Sequence, residues 1–143
     1  MRVVFLDIDG VLVTRESLMK ASGMRAQAQP RCVQALNSIT DATGAAIVVS
    51  STWRYGGVEW IRNKLKEWGV TADVIGATAL DYKTNRGQEI QTWLANHPTE
   101  SFVILDDDSD MAHLWAKLIQ TDMENGLTPA RATRAIRVLT EEL

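Results

Sequence analysis

The 143-residue chain has one cysteine, no apolar run of membrane-spanning length and no excess of positive charge. A single thiol, Cys32, cannot build a disulfide framework, which is typical of a protein in a reducing compartment. No apolar run approaches the ~18 residues needed to cross a bilayer, and no signal-peptide pattern precedes the first apolar segment. The net charge of -3 argues against non-specific electrostatic binding to nucleic acid. We therefore expect a cytoplasmic protein without a membrane segment.

The length of the chain is typical of one domain with a complete core, so we predict a single domain over residues 1–143. Short apolar runs indicate strands buried on both faces at 3–6, 45–49 and 102–105, a further short strand at 72–76 and an edge strand at 118–121. Helical spacing of apolar residues predicts helices at 30–43, 60–68, 90–98, 111–115 and from 129 onward, whereas 14–29 is expected to be irregular. This alternation predicts an α/β fold, a Rossmann-like three-layer α/β/α sandwich with a mainly parallel sheet of about five strands.

Acidic residues directly follow two of the apolar runs. Asp7 and Asp9 come after the run at 3–6, and the segment 106–110 carries further aspartates after the run at 102–105. Sites in parallel sheets lie beyond the carboxyl ends of the strands, so we expect these carboxylates to meet. Mutual repulsion and loss of hydration make such a group costly unless a cation neutralises it. Oxygen-only ligands favour Mg²⁺.

Two aspartates with one residue between them can divide the work of phosphoryl transfer. In an extended segment, Asp7 and Asp9 face the same side. One carboxylate can attack an electrophile while the other exchanges a proton with the leaving group. Ser50 or Ser51, at the end of the second predicted strand, together with one basic side chain would hold the phosphoryl oxygens.

Simpler explanations of the acidic residues fit less well. One aspartate at a strand end is usually a turn former or helix cap, but here such an explanation must hold at three strand ends at once, the two acidic ones and the one that carries Ser50 and Ser51. Asp106, Asp108 and Asp110 alternate as in a calcium-binding loop, yet Met111 stands where such a loop needs glycine and Lys117 where it needs glutamate. The calcium-loop interpretation therefore fails.

Four segments together resemble the motifs of the haloacid dehalogenase (HAD) superfamily. They are Asp7-Ile8-Asp9-Gly10-Val11, Val48-Val49-Ser50-Ser51, a basic residue ahead of a helix, and Leu105-Asp106-Asp107. Longer stretches resemble the small branch of this superfamily found in Swiss-army-knife RNA-repair proteins, namely Ser50–Arg54, Arg86–Ile90, Ile104–Met111 and Gln120–Asp122. The resemblance spans most of the chain and implies a phosphatase.

The resemblance implies roles for the acidic residues. Asp7 would be the nucleophile that forms an aspartyl-phosphate, and Asp9 would be the general acid and base, with its backbone carbonyl also on the metal. Asp106 would hold Mg²⁺, supported by Asp107 or Asp110. The metal ligands are therefore expected among these five aspartates.

The resemblance also implies how the phosphoryl group is bound. Ser50 matches the phosphate-binding hydroxyl of the superfamily, although Ser51 lies next to it. The superfamily commonly places a lysine as the basic residue, and both Lys83 and Arg86 stand near that place. We favour Arg86, because it precedes the helix that leads into the second acidic strand end.

The short stretch between Asp9 and Ser50 leaves no room for a cap domain, so we expect an open site. An open site suits a phosphate on a macromolecule, such as an RNA or DNA end, or a protein partner that covers the site. Trp53 and Arg54 could form a substrate rim that stacks a base and binds a phosphate, although core packing of Trp53 is equally favoured. The other tryptophans are expected in the core, at Trp60, Trp68, Trp93 and Trp115.

The predicted function is a magnesium-dependent phosphomonoester hydrolase that acts through an aspartyl-phosphate. Two other classes stay open. One is a nucleotidase or phosphotransferase with the same fold. The other is a non-catalytic phosphate-binding or regulatory module, against which the presence of Asp9 argues, because binding alone needs no group for proton transfer.

Overall fold

The computed structural model describes residues 1–21, 25–79 and 85–141. Its strands are β1 (Arg2–Leu6), β2 (Ala46–Val49), β3 (Val74–Ala77), β4 (Ser101–Asp106) and β5 (Leu118–Gln120). They form one sheet in the order β3-β2-β1-β4-β5, and every pair of neighbours is parallel. The predicted α/β fold with about five strands is confirmed.

The described residues form α-helices between the strands, at α1 (Arg15–Lys20), α2 (Pro30–Thr43), α3 (Val58–Glu67) and α4 (Arg86–Asn96), and α5 (Pro129–Thr140) after β5. Among the described residues, a 3₁₀ helix at Thr52–Gly56 follows β2 and another at Ala112–Lys117 precedes β5. Pro30 and Pro129 each stand in the first turn of a helix, where a missing N–H costs nothing. The Thr128 hydroxyl accepts a hydrogen bond from the Arg131 N–H at 3.2 Å and so caps α5.

The helices cover both faces of the sheet. Alternate residues of β1 point to opposite faces, as the two-residue period of a strand requires. Val4 and Leu6 belong to the larger core, which also contains buried residues of α2, α3 and α5. Val3 and Phe5 belong to a smaller core with buried residues of α4 and of the 3₁₀ helix Ala112–Lys117. The result is the predicted three-layer α/β/α sandwich.

Two expectations are wrong in detail. The segment 14–29 contains α1, which is too short for apolar periodicity to show; the Ser17 hydroxyl accepts a hydrogen bond from the Thr14 N–H at its start. Trp115 is 70% exposed rather than in the core, whereas Leu114 next to it is buried. Residues three apart share a face in a 3₁₀ helix, so Met111 and Leu114 face inward and Trp115 turns outward.

The described residues add no domain to the sandwich. Between β1 and β2 they form α1 and α2, and between β3 and β4 they form α4, so the described part of the chain contains no cap. None of the helices within it is both long and apolar enough to cross a membrane.

Candidate active site

The parallel pairing between β2, β1 and β4 continues for one residue beyond the ends of β1 and β2. Leu6 pairs with Val49 on one side and with Leu105 on the other. The Asp7 N–H donates to the Leu105 carbonyl at 3.0 Å, and the Ser50 N–H donates to the Leu6 carbonyl at 2.9 Å. Asp7 is therefore in register with Ser50 and with Asp106.

These three side chains lie on the same face of the sheet. By strand alternation, Asp7 continues the face of Phe5, Ser50 that of Val48, and Asp106 that of Ile104. The three apolar residues all belong to the smaller core, on the side of α4. The strand ends thus place two carboxylates and one hydroxyl side by side, next to the start of α4.

Asp7, Asp106 and Asp107 form a compact carboxylate cluster. One oxygen from each lies within 4.8 Å of the others. Asp7 is 4% exposed and Asp106 is fully buried. Burial and the neighbouring charge of Asp106 raise the pKa of Asp7 to about 8, although the Arg86 guanidinium opposes the rise. Burial also raises the pKa of Asp107.

This cluster fits a divalent cation. Three buried or half-buried carboxylates at this spacing repel one another, and this repulsion adds to the effect of burial, which is the larger cause of the raised pKa of Asp7. One cation would relieve that repulsion, and carboxylate oxygens are ligands that Mg²⁺ accepts. The donor set of Asp7, Asp106 and Asp107 therefore suits magnesium.

Arg86 is the basic residue that the structure brings to the cluster. Its Nη1 lies 2.7 Å from Asp106 Oδ2 and 3.3 Å from Asp7 Oδ2. Burial alone would lower the pKa of Arg86, but the charges of Asp7 and Asp106 outweigh it and the pKa is raised. Arg86 is the first residue of α4, which Asn85 caps by accepting from the Gln88 N–H at 2.9 Å. Lys83, the other candidate, lies outside the described residues.

Glycines let two segments approach the cluster. Gly10 has φ +81°, a conformation that side chains disfavour, and a Cβ there would lie 2.6 Å from Asp107 Oδ2. A Cβ on Gly87 would lie 2.7 Å from the backbone of Met111, so this glycine lets α4 pack against the loop after β4. Sequence reasoning identified neither contact.

The two serines after β2 are used differently. Ser50 is fully buried, and its hydroxyl has no hydrogen-bond partner within the described part of the chain. The Ser51 hydroxyl accepts from the Trp53 N–H at 3.2 Å and caps the 3₁₀ helix Thr52–Gly56. The Ser50 side chain lies on the face of Asp7. Because a buried hydroxyl without a partner is costly, the Ser50 hydroxyl is the one of the two that is left to bind a ligand.

Trp53 and Arg54 do not form an exposed rim. Trp53 is 2% exposed and Arg54 is 7% exposed, so Trp53 presents no face on which a base could stack. Arg54 Nη2 contacts both carboxylate oxygens of Glu89 on α4, at 3.0 and 2.9 Å, and its Nη1 donates to the Ser50 carbonyl. The guanidinium therefore ties the end of β2 to the helix that carries Arg86.

Sequence reasoning missed Glu89, although a signal for it exists. Its side chain is 8% exposed and pairs with the buried Arg54. In the helix, position 89 falls next to Ile90 and one turn before Trp93, on the stripe that faces the core. A glutamate on a buried stripe requires a buried cation, and that requirement could have been stated in advance.

Asp9 and Asp110 lie outside the three-carboxylate cluster. Asp9 is half-buried, and its Oδ1 accepts a hydrogen bond from Trp53 Nε1 at 3.1 Å. Asp110 is exposed, and its N–H donates to Asp108 Oδ1 at 2.9 Å. The structure thus separates Asp9 from the group around Asp7 and leaves Asp110 at the surface.

Comparison with known protein families gives a match over most of the chain. A family model described as the HAD domain in Swiss Army Knife RNA repair proteins matches residues 3–132, and this stretch includes every residue of the cluster and its surroundings. No curated protein and no solved structure matches the chain.

Proposed function

Because the chain belongs to the family of HAD domains in Swiss Army Knife RNA repair proteins, we propose that it is a magnesium-dependent phosphomonoester hydrolase with Asp7 as its nucleophile. The observation that carries this proposal is the carboxylate cluster itself. Asp7, Asp106 and Asp107 converge within 4.8 Å, with Arg86 bonded to two of them. The Ser50 hydroxyl, in register with Asp7, has no hydrogen-bond partner among the described residues, and a phosphoryl oxygen could supply one.

The reaction has two steps. In the first, an Asp7 carboxylate oxygen bonds to phosphorus while the bond to the leaving-group oxygen breaks, and Asp9 gives that oxygen a proton. In the second, water attacks the aspartyl-phosphate, Asp9 takes a proton from the water, and phosphate leaves Asp7. Arg86 and the Ser50 hydroxyl donate hydrogen bonds to the phosphoryl oxygens in both steps.

Asp7, Asp106 and Asp107 would hold the metal ion. When bound, Mg²⁺ supplies positive charge that keeps these carboxylates ionised and stabilises charge on the phosphoryl group. Asp7 needs this help, because its pKa of about 8 in the metal-free site leaves it largely protonated near neutral pH, and a protonated carboxyl is a poor nucleophile.

The proposed substrate is a terminal phosphate on RNA. The family's description refers to RNA repair, and the described residues contain no cap that would restrict access to the strand ends. The end of a polymer can enter such an uncovered site, whereas a small metabolite finds few contacts in it. The polymer itself, or a protein partner, then excludes water from the reacting phosphate.

Phosphate release from p-nitrophenyl phosphate tests the activity. We expect release with Mg²⁺, none with EDTA, and none from Asp7→Asn. The matched control is Asp41→Asn on the exposed face of α2, which removes a carboxylate of the same type and should keep wild-type activity. Equal rates for wild type and Asp7→Asn would refute the nucleophile assignment.

A second assay addresses the substrate. RNA and DNA oligonucleotides with 3′ or 5′ phosphates, free nucleotides and phosphopeptides are compared at equal concentration. Preference for an RNA end supports the proposal, and preference for free nucleotides indicates a nucleotidase. A wild-type protein that binds Mg²⁺ but releases phosphate from none of them is the non-catalytic module.

A further inference from the structure

The indole of Trp53 is fixed in place directly beside Asp9. Its ring stacks on Trp60, with centroids 6.1 Å apart and planes at 27°, and meets Trp68 edge-on at 5.4 Å. The Trp68 N–H is in turn held by Gln27 Oε1 at 2.8 Å. With rings on two sides and 2% exposure, the Trp53 indole has little freedom to rotate.

The direction of the Trp53 N–H fixes the Asp9 carboxylate. Nε1 lies 3.1 Å from Asp9 Oδ1. An indole N–H can only donate, and the unprotonated oxygen of a carboxyl group is a better acceptor than the protonated one, so this bond favours Oδ1 as the unprotonated oxygen. A proton on the Asp9 carboxyl is then favoured on Oδ2. The bond therefore selects both the rotamer of the carboxyl group and the oxygen that carries the proton.

We propose that Trp53 is the positioning residue for proton transfer by Asp9. The inference rests on the proposed function, in which Asp9 protonates the leaving group. The proton passes from Asp9 Oδ2 to the leaving-group oxygen as its bond to phosphorus breaks and the bond from Asp7 to phosphorus forms. Trp53 itself contacts no reacting atom, because its side-chain donor, the indole N–H, is bonded to Asp9 Oδ1.

This role gives Trp53 an effect that depends on the leaving group. An alkoxide, such as the oxygen of a ribose, is a poor leaving group and needs the proton from Asp9 during bond cleavage. The p-nitrophenolate ion leaves without one. Loss of the indole N–H should therefore slow cleavage of an alkyl phosphate much more than cleavage of p-nitrophenyl phosphate.

The test compares kcat/KM for glycerol 2-phosphate and p-nitrophenyl phosphate in wild type and Trp53→Phe. This constant covers the steps up to phosphorylation of Asp7, in which the leaving group departs. The ratio of the two constants within one preparation does not depend on how much of the variant is folded. We expect the alkyl-to-aryl ratio to fall by about tenfold or more in Trp53→Phe, within the range that a positioned general acid contributes.

Trp60→Phe is the matched control, because it alters the same aromatic cluster one ring away from Asp9. Its alkyl-to-aryl ratio should equal that of the wild type. An unchanged ratio in Trp53→Phe, or an equal fall in both variants, overturns the inference while leaving the proposed function intact. Failure of the wild type to hydrolyse either ester overturns the proposed function and the inference with it.

Discussion

Replacement of Asp7, the proposed nucleophile, should stabilise the metal-free protein at neutral pH. The pKa of Asp7 is about 8 in the folded protein and has its ordinary value of 3.8 when the chain is unfolded. The folded state therefore binds this proton more tightly than the unfolded state. The Asp7 contribution to stability is complete below about pH 4 and is lost as the pH rises towards 8.

The size of the effect follows from the two pKa values. Above pH 3.8, the unfolded chain releases the Asp7 proton while the folded protein keeps it, so the free energy of unfolding falls by about 1.4 kcal/mol per pH unit. The loss amounts to about 4 kcal/mol at pH 7. A small movement of the side chain or entry of water would relieve part of this cost. Because asparagine does not titrate, we expect Asp7→Asn in EDTA to exceed the wild type by about 2–4 kcal/mol at pH 7.

Urea unfolding monitored by tryptophan fluorescence measures this difference. The free energy of unfolding is determined in EDTA at several pH values between about 4.5 and 8, for wild type and Asp7→Asn. The advantage of the variant should grow with pH and shrink when saturating Mg²⁺ is added, because the ion binds the folded wild type. An advantage that does not change with pH, or a variant less stable than the wild type throughout, would refute the reasoning about the cluster.

Two further predictions concern the structure that supports the site. Glu89→Gln should lower the free energy of unfolding by about 3–5 kcal/mol, because it leaves the buried Arg54 guanidinium without its counter-charge. Urea unfolding measures this loss of stability, and a loss below about 1 kcal/mol would contradict the prediction. Gly10→Ala should abolish phosphate release because its Cβ collides with the Asp107 carboxylate. Gly44→Ala has a similar positive φ and nothing within 4 Å of its Cβ, so it should lose only about 1–2 kcal/mol of stability and keep its activity. Equal activity in the two alanine variants would show that the approach to Asp107 is unimportant.

The strand ends could be predicted because their chemistry is local. An apolar run followed at once by aspartate identifies Asp7 and Asp106 without knowledge of the rest of the chain. The different hydrogen bonding of the Ser50 and Ser51 hydroxyls could not be predicted, because it depends on which of them caps the following 3₁₀ helix. Sequence periodicity does not report such turns, since they are too short to repeat.

The burial of Trp53 and Arg54 could not be predicted for a different reason. A tryptophan and an arginine after a strand end fit an exposed binding rim and a packed support equally well. Their placement is decided by distant residues, since Trp68 packs on one and Glu89 pairs with the other. Tertiary contacts of this kind leave no pattern in the segment itself.

The position of β1 in the sheet has a consequence for how the protein folds. β1 leads directly into Asp7 and lies between β2 and β4, which follow it at very different separations along the chain. The pairing of β1 with β2 can form early. The other edge of β1 stays unpaired until β4 is in place, and such non-local pairing is slow. Until β4 arrives, that edge is open to association with other chains. Asp106 and Asp107 arrive with the same strand, so the carboxylate cluster assembles only when the exposed edge is closed, and partly folded chains lack it.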